Sequence, residues 1–138
     1  AFSKLFNSTF KYVKNMILSE GSFDFKNQGS SGRHGPVAII LFDNVNIPNI
    51  PKEVFLTSLA SVTFRNCKIG DLYSESFKAT EISSVSMINT SLKYIHERAF
   101  TERTLICDFK ISKCNISKLH SEAIMAGIEN LTVKHSRC

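Results

Sequence analysis

The chain has 138 residues, 43% hydrophobic and 21% charged, which fits one globular domain and excludes a long disordered tail or a multidomain enzyme. Lys and Arg number 17 against 12 Asp and Glu; a net charge of +5 is too mild to indicate nucleic acid without a clustered basic face, and no such cluster stands out along the sequence. The 4 Cys are far fewer than a disulfide-dense miniprotein carries, and no apolar run approaches the roughly 20 residues that span a bilayer.

Residues 1–36 are predicted to be an N-terminal capping segment of helix plus loop. Phe2, Leu5, Phe6, Phe10, Val13, Met16 and Ile17 recur at near-helical spacing, the pattern of an amphipathic helix that closes an open core. The stretch GSFDF then supplies a preliminary strand. NQGSSGRHGP, rich in Gly, Ser and Pro, reads as a mobile loop in which His34 has no functional role.

From residue 37 the chain repeats itself. Ile47, Ile69, Leu92 and Ile116 align with spacings of 22, 23 and 24 residues, and Phe55, Phe77, Phe100 and Ile124 keep the same spacings. Ile50, Leu72, Ile95 and Leu119 form a third column in step with both. Upstream in each unit stand Ile40, Val62, Val85, Phe109 and Leu131, each followed two places on by Phe42, Phe64, Met87, Ile111 and Val133. These columns divide the chain into rungs 37–58, 59–81, 82–105, 106–127 and an incomplete 128–138, all within one domain. The two-residue alternation describes short strands with one face buried, and strands of successive rungs are expected to pair in parallel, about 4.8 Å apart. No rung buries its apolar edge alone, so each must cover its neighbour and the ends need caps.

One unit, LASVTFRNCKIGDLYSESF, places its apolar residues as L-x-x-V-x-F-x-x-C-x-I. This resembles the leucine-rich repeat, whose consensus is L-x-x-L-x-L-x-x-N/C-x-L at a period of roughly 20 to 29 residues. The resemblance covers about residues 37 to 138. It implies an α/β repeat solenoid, a short parallel β stack with an irregular convex side beneath the N-terminal helical cap. The sequence departs from the family at the Asn/Cys column, which holds Val45, Cys67, Thr90, Cys114 and Ser136, so the usual asparagine ladder is missing. The many β-branched and aromatic residues also fit an alternative, a right-handed parallel β-helix.

Four N-x-S/T sequons, at Asn7, Asn89, Asn115 and Asn130, point to glycosylation of a secreted, extracellular protein. A start at Ala1 without Met agrees with a removed signal peptide. Cys67 and Cys114 fall in the inward column as small structural hydrophobes. Cys107 and Cys138 lie one rung apart and suit a disulfide that pins the C-terminal edge, with Cys114 to Cys138 as the competing pair.

Chemistry is sparsely represented. No nucleophile elbow, P-loop, dinucleotide fingerprint or zinc-protease string occurs, no Cys/His spacing supports a metal, and no cofactor is implied, so an enzyme is not expected. His96 and His120 share a column with Tyr73 and read as a surface stack. Glu75, Arg98 and Glu122 alternate in charge and are expected to form a surface ladder. The outward strand positions comprise Ile39, Leu41, Asp43, Ser61, Thr63 and Arg65, then Ser84, Ser86, Ile88, Asp108, Lys110 and Ser112, with Asn130, Thr132 and Lys134 in the last rung. In leucine-rich-repeat proteins the corresponding sheet face binds partners, so the resemblance implies a non-enzymatic scaffold that recognises an extracellular protein or glycan there, with no nucleic acid and no membrane span. The incomplete last rung supports a second expectation, a building block that self-assembles end to end into a homo-oligomer or polymer of a matrix, coat or fibre.

Overall fold

A computed structural model describes residues 7–23, 38–56, 58–79 and 81–136. Among the described residues ten strands occur in order: β1 (Asn7–Lys11), β2 (Ile39–Asp43), β3 (Asn46–Ile50), β4 (Leu59–Arg65), β5 (Lys68–Leu72), β6 (Glu81–Ile88), β7 (Ser91–Ile95), β8 (Leu105–Ser112), β9 (Asn115–Leu119) and β10 (Gly127–Lys134). They form a parallel β solenoid. The first sheet has six strands in the order β1-β2-β4-β6-β8-β10, and the second has four, β3-β5-β7-β9. A third side is a line of single bridges, Phe23 to Phe55 to Phe77 to Phe100 to Ile124.

The register follows the sequence columns. Ile40 pairs with Val62, Val62 with Val85, Val85 with Phe109 and Phe109 with Leu131, while Ile47, Ile69, Leu92 and Ile116 align across the second sheet. Equivalent side chains therefore stack at the rung spacing. Phe55, Phe77 and Phe100 lie nearly face to face with centroids 4.5 and 4.3 Å apart, and Phe23 extends the stack at 5.2 Å. Phe10, Phe42 and Phe64 make a second stack at 5.4 and 4.9 Å. Each ring pair adds about 0.5–1.5 kcal/mol to the burial term.

Two left-handed corners turn each of the first four rungs, and one turns the next. Tyr12, Asn44, Asn66, Asn89, Lys113 and His135 hold positive φ just after the first-sheet strands, and Gly21, Glu53, Glu75 and Arg98 do so after the second side. Asn is the side chain best suited to this conformation. The corners also continue the inter-rung ladder: Asn44 N donates to Arg65 O at 2.9 Å, Asn66 N to Ile88 O at 3.0 Å and Glu75 N to Arg98 O at 2.8 Å. In the second sheet Gly70 is the close approach of adjacent rungs. A Cβ there would sit 2.0 Å from Pro48 O, backbone that a side chain cannot displace without moving the strand.

Three expectations are corrected. The described residues contain no helix, so the α/β class and the helical cap give way to strands: residues 7–11 are β1, paired with β2, and residues 12–23 turn through both corners to Phe23. Phe10, Val13 and Met16 are rung positions, with Asn46 N donating to Val13 O and Met16 N to Asn46 O at 2.9 Å. Phe10 precedes Phe42 and Phe23 precedes Phe55 by 32 residues, ten more than the next interval, and that insertion hides the first rung from a 22–24 residue comparison. Phe2, Leu5, Phe6, the Gly/Ser-rich loop and His34 lie outside the described residues. The side expected to be irregular carries the second sheet. Finally, columns expected to be buried are open toward the C-terminal end: in the last rung Leu131 is 58% and Val133 53% exposed, and in the rung before it Leu119 is 43% exposed.

Candidate binding surfaces

The first sheet turns the expected side chains outward on adjacent strands. Ser61, Ser84 and Asp108 align across one row, as do Thr63, Ser86, Lys110 and Thr132, and Arg65, Ile88, Ser112 and Lys134 across the next. All are half-buried or exposed. Small hydroxyls occupy the centre, and charge lies at the margins. Arg65 reaches Asp43 at 3.1 Å in the preceding rung and holds that carboxyl below the usual carboxylate range against desolvation, with Asn66 and then Lys11 adding to the effect.

Inside the first corner, the column that departs from the leucine-rich consensus forms its own polar ladder. Thr90 Oγ1 donates to Phe64 O or Ile88 O, 3.1 and 3.0 Å away, and accepts from Cys67 N at 3.4 Å. The Cys67 thiol faces Phe42 O and Arg65 O at 3.3 Å, and Cys114 faces Met87 O at 3.1 Å and Ser112 O at 3.4 Å. Thiol and hydroxyl thus satisfy corner carbonyls from within, work that an asparagine would otherwise do. Burial pushes the Cys67 thiol up. Outside the same corner, Asn89 Nδ2 donates to Asn66 Oδ1 at 2.7 Å. One amide pair therefore bridges neighbouring rungs one residue before the Cys67 and Thr90 column.

His96 and His120 do not converge. The His96 Nε2 contacts Asp71 Oδ1 at 3.2 Å, and its ring stacks with Tyr94 at 3.9 Å and Tyr73 at 4.8 Å. His120 accepts the Glu122 N–H at Nδ1 and turns Nε2 toward Glu97 at 3.8 Å. Lys118 lies 4.7 Å above the Tyr94 ring, a cation–π contact. The expected Glu75–Arg98–Glu122 ladder is rearranged: Arg98 binds both carboxylate oxygens of Glu102, whereas Lys78 bridges Glu53 at 3.7 Å and Glu75 at 3.3 Å. The Glu102 partner is four residues further along the chain, and the backbone at Arg98 is left-handed.

Asn7, Asn89, Asn115 and Asn130 are all exposed. Cys138 lies outside the described residues, and with it both of the expected disulfides. Cys107 is half-buried on β8, its thiol raised by desolvation and by the carboxylates of Glu129, Glu81 and Asp108. No family model, curated protein or solved structure matches the chain.

Proposed function

We propose that the protein is a secreted, glycosylated recognition scaffold of leucine-rich-repeat type that binds an extracellular protein or glycan on the outward face of its first sheet. The observation that carries this reading is the alignment of Ser61, Thr63, Arg65, Ser84, Ser86 and Lys110 on neighbouring strands of one broad sheet. Such a surface is held rigid by the stack behind it, so a partner finds it preorganised and little ordering entropy opposes binding. Catalysis has no part in this reading. The test is an array of extracellular proteins and glycans probed with the wild-type chain and with an Arg65→Glu/Lys110→Glu/Lys134→Glu variant. A ligand bound by the first and lost by the second, with thermal unfolding nearly unchanged, is the expected result; retention of every ligand by the variant refutes the surface.

A second reading, end-to-end assembly, draws on the last rung. Among the described residues β10 pairs with β8 on one side only, and Leu131 and Val133 on it are exposed, as is Leu119 on β9 at the end of the second sheet. Apolar edges of this kind seek another strand. Light scattering across a concentration series decides it: growth in mass supports assembly, and a constant monomer mass refutes it. The second sheet and the phenylalanine column also fit the alternative architecture, a parallel β-helix.

A further inference from the structure

The rungs bring together lysines that lie far apart along the chain. Lys68 on β5 and Lys93 on β7 point out from the second sheet, and Lys14 in the first rung lies on the same side. Tyr12, Lys14, Asn44, Asn46, Asn66 and Lys68 line an open groove of about 450 Å³. A second of about 390 Å³ shares Asn46 and Lys68 and runs on past Gly70 to Ser91, Lys93 and Ser117. The two adjoin at Asn46 and Lys68, which line both, and are treated together as one trough. At a rung spacing of about 4.8 Å, its three lysines span roughly 14 Å.

The charge in this trough is uncompensated. No acidic residue lines either part, and among the described residues Lys14, Lys68 and Lys93 make no ion pair. Two carboxylates on the neighbouring strands are paired with other cations or rings, Asp43 with Arg65 and Asp71 with His96. Lys113 lines the adjoining hollow with Asn89 and Asn115 and extends the cationic strip along its rim.

We propose that this trough binds an acidic polysaccharide, a sulfated or carboxylated sugar chain lying across the rungs. The lysines meet its anionic groups as point charges. Between them, the amides of Asn44 and Asn46 and the hydroxyls of Ser91 and Ser117 offer both donors and acceptors, the complement of sugar hydroxyls. A single-stranded nucleic acid calls for aromatic platforms along its path, and the trough has only Tyr12, at one end. A lipid surface calls for protruding apolar side chains beside the cations, whereas of the apolar residues lining this trough Val45, Ile69 and Leu92 are buried and Val13 and Pro48 half-buried. The site is on a different sheet from the recognition surface proposed above and stands without it.

The test is calorimetric titration of the full chain with heparin, neutral dextran and a single-stranded oligonucleotide. Heparin is expected to bind with an affinity that falls as salt rises, and dextran not to bind. The Lys14→Glu/Lys68→Glu/Lys93→Glu variant should lose heparin affinity by roughly tenfold or more, because attraction in the trough becomes repulsion. The Arg65→Glu/Lys110→Glu/Lys134→Glu variant, with the same change in net charge on the first sheet, should lose less than about twofold. All of the trough lysines are exposed, so unfolding temperatures of the two variants serve as the fold control. Equal losses in both variants, no heparin binding, or tighter binding of the oligonucleotide than of heparin would each overturn the proposal. Failure of heparin binding leaves the first-sheet array result untouched, so the two proposals fail separately.

Discussion

Phe77 offers the sharpest test of how the stack is held together. Its ring is fully buried between Phe55 and Phe100, in the middle of the solenoid. Phe77→Ala removes that ring and leaves a cavity between two rungs, at a cost of about 3–5 kcal/mol. Phe77→Leu keeps most of the apolar volume and loses two ring–ring contacts worth about 0.5–1.5 kcal/mol each, or about 1–3 kcal/mol. Ile124→Ala, in the same column but half-buried at the open end, should cost about half of a fully buried Ile truncation, or roughly 1–2 kcal/mol. Because each rung touches only its neighbours, weakening the centre also uncouples the two ends, so the urea slope of Phe77→Ala should fall below that of the wild type. Urea unfolding followed by circular dichroism measures all three. A neutral Phe77→Leu would show that ring stacking adds nothing to burial, and equal losses for Phe77→Ala and Ile124→Ala would refute the one-dimensional picture.

Thr90→Val preserves shape and leaves the sequon at Asn89 intact, but strips the corner carbonyls of a donor and the Cys67 N–H of its acceptor; denaturant unfolding should show a loss of about 1–3 kcal/mol, with Thr90→Ser losing less. The pH dependence follows from Asp43. Its carboxyl is lowered in the folded state by Arg65, so the ion pair stabilises the protein above the unfolded-state titration and is lost as pH falls through the lower folded value. Thermal melts from neutral to acid pH should therefore show a shallower acid decline for Asp43→Asn than for the wild type, and identical profiles would refute the linkage.

Much of the architecture was legible in the chain because a parallel stack writes its contacts directly into the sequence. Residues paired across rungs are one period apart, so Ile47, Ile69, Leu92 and Ile116 could be placed in register from their spacing, and the strands beginning at Leu59 and Glu81 fall within a residue of the boundaries read from it. The N-terminal rung was not legible for two physical reasons. Phe10, Val13 and Met16 satisfy a helical period as well as they satisfy a strand, a corner and a second side, and the interval of 32 residues to the next rung breaks the repeat. The second sheet was hidden because its strands are only five residues long and Pro48, Gly70 and Lys93 interrupt strict alternation.

The candidate surfaces divide the same way. The outward row of the first sheet could be read from two-residue alternation, since a strand places alternate side chains on opposite faces whatever lies around it. The lysine trough could not. Lys14, Lys68 and Lys93 belong to no run or motif, and the sequence shows a dispersed excess of positive charge. What a chain encodes by itself is the period that decides which residues share a column. Which columns then border one another across a corner, and which charges are left without a partner there, depends on where the left-handed residues turn the rung, and only the folded stack decides that.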